Sequence, residues 1–224
     1  MRRPPAEGEP GDYEVVYRDR HLIVVNKPAN LLSVPGRLPE NKDCLISRML
    51  KPYPNSRVVH RLDMATSGLL LVPQTQSALS HLARQFQERR INKIYYAVVD
   101  GIVAQNSGEI NQPLACDWPN RPKQHVIADG KPSITAYTVL QRNIEHNFTR
   151  IALYPITGRS HQLRVHLEYL GHPILGDSLY GTENSRSRAN RLLLHAQSIT
   201  FCHPVSDVQV SLTARGFHWF PEVQ

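Results

Sequence analysis

Apolar residues come in short runs broken by polar turns along most of the chain, a pattern that predicts strands more often than helices. Glu14-Val15-Val16-Tyr17 and Leu22-Ile23-Val24-Val25 flank Arg18-Asp19-Arg20, as the two strands of a hairpin would. Further strands are predicted at Lys93–Val99, ended by Asp100-Gly101, and at 134–140, 148–154, 197–202 and 208–213, with 134–140 and 148–154 pairing antiparallel. Helical spacing is confined to three stretches. Asp43 is the predicted N-cap of a short helix ending near Leu50, and Thr75 that of a second helix with Leu79, Leu82, Ala83 and Phe86 as its core stripe. The third opens at Thr157-Gly158-Arg159-Ser160, carries Leu163, Leu167 and Leu170 on one face, and stops at Gly171. Residues 113–132 read as a loop, because Pro113, Pro119, Pro122 and Pro132 interrupt them.

The chain is organised around residues 57–73. Val58 and Val59 lead to His60-Arg61-Leu62-Asp63, a small polar turn ends in Gly68, and Leu69-Leu70-Leu71-Val72 departs into a core. Asp63 thus stands between two buried segments. It either closes its own turn through hydrogen bonds or is presented as a charged group in a cleft. Tyr95 and Tyr96 must face opposite sides of their strand, so one can line a cleft while the other packs. Arg164 lies roughly 100° round its helix from the leucine stripe, which places it at the boundary between core and cleft.

With 224 residues, 41% hydrophobic and 20% charged, the chain can bury one sizeable core and is most simply a single large domain. Residues 1–13 read as a polar tail without a signal peptide, and no stretch is long enough to cross a bilayer. Three cysteines without a close pair argue against a disulfide framework and fit a reducing cytoplasm. A net charge of +7 and a pI near 9.5 point to a polyanionic partner. The loop at 113–132, with Trp118, Arg121, Lys123 and Lys131, is then either a solvated surface loop or one that touches RNA. Metal chemistry is not expected. His161 and His166 are separated by roughly 140° on a helix, and no His-Glu-x-x-His arrangement occurs. The chain has no Gly-rich phosphate loop and no Gly-x-Ser-x-Gly elbow, and no second copy of the Asp63 turn supplies an aspartic-protease dyad.

His60-Arg61-Leu62-Asp63 followed by Thr66-Ser67-Gly68-Leu69-Leu70-Leu71 resembles the signature of the RluA-type pseudouridine synthases. Further blocks match that family in the same order: Val25-Asn26-Lys27-Pro28, Lys93-Ile94-Tyr95-Tyr96-Ala97, Thr157 to His166, Gly171 to Asp177, and Leu194-His195-Ala196. Val34-Pro35-Gly36-Arg37 and Cys116 to Gln124 are similar to the subgroup that acts on both 23S ribosomal RNA and tRNA. Asn30 departs from the family's usual Gly, a change Asn tolerates because it enters the left-handed region more readily than most residues.

The resemblance implies an α+β protein with the pseudouridine synthase fold: a bent, mainly antiparallel mixed sheet with flanking helices and a central catalytic cleft. It implies a catalytic domain over residues 14–215, a C-terminal tail at 216–224 and no N-terminal S4-like domain. The implied activity is isomerisation of uridines in a 23S rRNA hairpin loop and a tRNA anticodon stem-loop, in the cytoplasm, by a monomer, without cofactor or metal. By the same resemblance Asp63 is the nucleophile or base, Arg164 forms a salt bridge with it, and Arg61 fills the stack vacated by a flipped base. Tyr95 stacks on the uracil and Leu194 lines the apolar wall. His60, His195, His161, Gln162 and Thr66 are expected to support the site from behind. The cations of 84–93, 121–131 and 186–191 are expected to hold phosphates. A synthase restricted to tRNA or to rRNA, and a non-catalytic RNA-binding module, are the alternatives.

Overall fold

The structure, a computed structural model, describes residues 12–214, so the predicted tails at 1–13 and 216–224 lie almost wholly outside the described residues. Its elements in chain order are β1 (Glu14–Arg18), β2 (Leu22–Lys27), α1 (Leu45–Leu50), β3 (Ser67–Pro73), α2 (Gln76–Gln87), β4 (Asn92–Asp100) and β5 (Ser107–Asn111). There follow β6 (Leu114–Cys116), β7 (Gln124–Val126), β8 (Ile134–Asn143), β9 (Phe148–Pro155), α3 (Gln162–Tyr169), α4 (Glu183–Ser187), β10 (Leu194–Cys202) and β11 (Gln209–Thr213). The protein is α+β and its sheet is mostly antiparallel. No described helix is long and apolar enough to cross a membrane.

Two compact units divide the chain, with boundaries inside β4 and β10. In the first, strands run in the order β1-β2-β3-β10, with β11 paired to β10. The predicted hairpin is β1 and β2, and Asp19 shapes its turn by accepting from the backbone N–H groups of His21 (2.7 Å) and Leu22 (2.8 Å). All seven residues of β3 are buried, which is why its sequence reads as a continuous apolar run instead of an alternation. Leu22, Val24, Leu69, Leu71, Ile199 and Phe201 recur every second residue and meet Leu82 of α2 in one core. The apolar face of α2 is therefore bound to this sheet. Thr75 caps α2 as predicted, accepting from Ala78 N (3.2 Å), but Ala83 of the expected stripe is exposed and Gln85 takes the buried position. Gln85 can do so because its amide donates to Cys202 O (2.7 Å) and accepts from Cys202 N (2.9 Å). Helix α1 is capped by Cys44, whose sulfur accepts from Ser47 N; Asp43 instead holds Arg48 at 2.6 Å.

In the second unit the order is β4-β9-β8-β5, all antiparallel, and β8 and β9 pair as predicted. The segment 113–132 is not merely a loop: β6 and β7 form a small antiparallel ribbon within it. The four prolines fall outside those two strands, so none removes a ladder hydrogen bond. Helix α3 begins at Gln162, later than predicted, and residues 162–167 are all buried, so it is covered nearly all round at its start. It does stop at Gly171, which adopts φ +86 and donates to Glu168 O (2.9 Å).

Candidate active site

In the first unit Asp63 sits half-buried on the loop that joins His60 to β3. That loop is tied on both sides of the aspartate. Ser33 Oγ accepts from Leu62 N (3.1 Å) and donates to Leu62 O (2.7 Å), and Thr66 N donates to Asp63 O (3.2 Å). Ahead of it His60 packs its ring on Phe86, centroids 4.7 Å apart, and its Nε2 accepts from Leu71 N (2.9 Å). Behind it Gly68 adopts φ +116, and a Cβ there would lie 2.4 Å from both N and O of Ala196, so only glycine lets β3 start so soon after the loop. The backbone that carries Asp63 is thereby held while its side chain stays half-exposed, as a reactive group requires.

Lys27, to which sequence reasoning assigned no role, lies beneath this loop with no solvent exposure. Its Nζ donates to Leu31 O (2.7 Å), Pro28 O (2.9 Å) and Met64 O (3.1 Å), so three donors of an ammonium meet three acceptors, one of them next to Asp63. Burial pulls its pKa down to about 7, while the Asp63 carboxylate pushes the other way. Lys27 therefore links the Asn-Lys-Pro segment to the aspartate loop through both hydrogen bonds and charge. Arg61 is exposed. Lys93 is half-buried and stands over the Phe86 ring at 5.9 Å, and burial lowers its pKa.

Tyr95, Arg164 and Leu194 belong to the second unit. Tyr95 is the more enclosed of the two tyrosines on β4, at 9% exposure, opposite Leu153 of β9; Tyr96 is half-buried. Leu194 opens β10 and is buried. Arg164, expected at the boundary between core and cleft, is only 3% exposed. It can lie so deep because Asp177, 1% exposed, accepts from its Nε (2.8 Å) and Nη2 (2.6 Å) in a two-pronged ion pair. The guanidinium also stands 5.0 Å from the centre of the Tyr180 ring. Asp177 and Tyr180 are the residues that sequence reasoning missed here. Their signal was an acidic side chain just after the buried Ile174-Leu175 pair and Gly176.

Thr157 donates to Gln162 Oε1 (2.8 Å), and Gln162 Nε2 donates to Ile134 O (3.0 Å), fixing the start of α3. Burial and the positive Arg191 push the His195 imidazole down to about 3, and burial and Lys93 do the same to His60, so both are neutral at pH 7. Of the steering cations, Arg188 is occupied by Asp100 at 2.6 Å and by the His146 carbonyl. Trp118, 68% exposed at the tip of the β6–β7 ribbon, carries Arg121 stacked on its ring at 3.5 Å. No described group of three His, Cys, Asp or Glu residues is placed to hold a metal ion.

Residues 21–169 match the family model described as RNA pseudouridylate synthase. A Vibrio parahaemolyticus protein named dual-specificity RNA pseudouridine synthase RluA is 52% identical over 197 residues, which are 86% of this chain and 79% of that protein. The Escherichia coli K12 protein of the same name is 52% identical over 191 residues, 85% of this chain and 87% of its own. Among solved structures, human RNA pseudouridylate synthase domain containing 1 superposes with a TM-score of 0.77 at 30% identity, covering 96% of this chain and 86% of that one.

Proposed function

This chain belongs to the RNA pseudouridylate synthase family, in its RluA type, and from that membership we propose that it isomerises specific uridines in a 23S rRNA hairpin loop and a tRNA anticodon stem-loop. Pseudouridine synthases are isomerases. The N1–C1′ bond breaks, the uracil turns in place, C5 bonds to C1′, and the proton lost from C5 is balanced by one gained at N1. No electrons are gained or lost, so the reaction asks for no redox cofactor.

Asp63 starts the reaction as nucleophile or base, and the observation that carries this reading is its position: a half-buried carboxylate on a loop pinned through Leu62, Met64 and Thr66. A base stacked in RNA cannot reach such a carboxylate, so the uridine flips out and Arg61, planar and cationic, takes its place in the stack. Tyr95 stacks on the uracil, Leu194 supplies the apolar wall, and Arg164 is, by family membership, a cation of the substrate site. The catalytic domain spans residues 14–215. It works as a monomer in the cytoplasm, where three free cysteines are at home.

Pseudouridine mapping of total RNA from cells with and without the gene tests this reading. The expected result is loss of one 23S rRNA site and one or more tRNA anticodon-loop sites. Loss at tRNA alone or rRNA alone refutes the dual specificity, and unchanged maps refute the activity.

A further inference from the structure

We propose that Lys93 and His60 form a seat for one phosphate of the RNA backbone, beside the uridine that flips. The inference rests on the reading above for that location, because His60 directly precedes Arg61, the residue given the vacated stack. The seat itself lies wholly within the first unit.

The ring of Phe86, near the end of α2, is shared by the two polar groups. His60 packs on it with centroids 4.7 Å apart, and Lys93 Nζ stands over it at 5.9 Å. All three residues are half-buried, so the group is at the surface yet partly shielded from water. His60 has a fixed tautomer. Its Nε2 accepts from Leu71 N (2.9 Å), so the neutral imidazole carries its proton on Nδ1, and no described group accepts that proton. Lys93 is unmatched as well: among the described residues no carboxylate, carbonyl or hydroxyl oxygen lies within hydrogen-bond or ion-pair reach of its Nζ.

Lys27, in the same unit, shows how this fold satisfies an ammonium of its own: three carbonyls surround it. At Lys93 burial disfavours the charge, and no described acceptor offsets that cost. The Phe86 face attracts the ammonium and holds it in place without neutralising it, so its charge is left for a ligand. A second cation is excluded by Lys93 itself. What fits is an anion with acceptor oxygens on two sides, one for the ammonium and one for the His60 Nδ1–H. The two non-bridging oxygens of a phosphodiester meet that description, and the net charge of +7 favours a polyanion that carries many of them. Such a contact reads no base. It fixes the register of the strand, and so decides which nucleotide lies next to Arg61 and is turned out.

The test is a double-mutant cycle between Lys93 and single linkages of a stem-loop RNA, read by filter binding, with folding checked by near-UV circular dichroism. Each phosphate within two nucleotides of the target uridine is replaced in turn by an uncharged methylphosphonate. One replacement should weaken binding to wild type about tenfold and leave binding to Lys93→Met unchanged. On the parent RNA, Lys93→Met should also lower the slope of log K against log salt by roughly 0.7–0.9. The Nδ1 proton of His60 should give a resolved NMR signal in the complex with the parent RNA and lose it with the substituted one. If Lys93→Met does not fold, that signal across the RNA series carries the test. The proposal is overturned if no linkage in this window couples to Lys93, or if the His60 proton gives no signal in any complex. A wild type that binds the RNA but forms no pseudouridine refutes the enzymatic reading instead, and the cycle still decides on the seat.

Discussion

Lowering the pH from 7 to 5 should destabilise this protein through histidines that the fold keeps neutral. His60 and His195 have pKa values near 3 in the folded chain, against 6.5 when free. Part of the His60 residue reaches solvent, but Nε2 already accepts from Leu71 N and Lys93 lies nearby, so the fold resists its protonation. His195 is 4% exposed and faces the positive Arg191. His166 is shifted the same way by burial. Each folded pKa is depressed, so the unfolded chain binds more protons below pH 6.5, and stability is complete above that value and lost as pH falls towards 3. Between pH 7 and pH 5 each such group costs at most about 2 kcal/mol, from 1.36 kcal/mol per pH unit over the part of the window below 6.5. Asp19, held near 2 despite burial by hydrogen bonds from Tyr17, His203 and the backbone, loses its contribution only at lower pH and does not confuse the window. Urea unfolding followed by circular dichroism at both pH values measures the effect. His60→Gln, whose side-chain oxygen can still accept from Leu71 N, should recover about 2 kcal/mol of the difference. Equal stability of wild type at pH 7 and pH 5, or the same loss in His60→Gln, would refute the reasoning.

Two further substitutions probe the loop that carries Asp63. Gly68→Ala combines a positive φ with a Cβ 2.4 Å from the Ala196 backbone, and should cost about 2–4 kcal/mol, read as a lower urea midpoint. Lys27→Met removes the donor to three carbonyls around the aspartate loop; kcat should drop while RNA affinity, measured by filter binding, stays within a few-fold of wild type.

Much of this organisation is legible from residue patterns, and the failures share a cause. The continuous run at β3, the hairpin of β1 and β2, the Thr75 cap and the Gly171 stop follow from local rules and stand where expected. The ribbon of β6 and β7 escaped because three-residue strands are too short to show alternation and prolines crowd their flanks. Helical spacing assigns Ala83 to the core because it cannot foresee that Gln85 finds both backbone groups of Cys202. Burial of charge is the least legible feature. Lys27 and Asp177 stand in blocks that resemble the family, yet only the fold brings three carbonyls round one and a guanidinium to the other. Arg164 shows the same limit: its helical angle indicates a boundary, and its partner decides its depth.

The proposed chemistry begins at the carboxylate of Asp63. With purified enzyme in excess over a stem-loop transcript, Asp63→Ala should form no pseudouridine while binding the RNA within a few-fold of wild type. Product formation by that variant at any measurable rate would contradict the account.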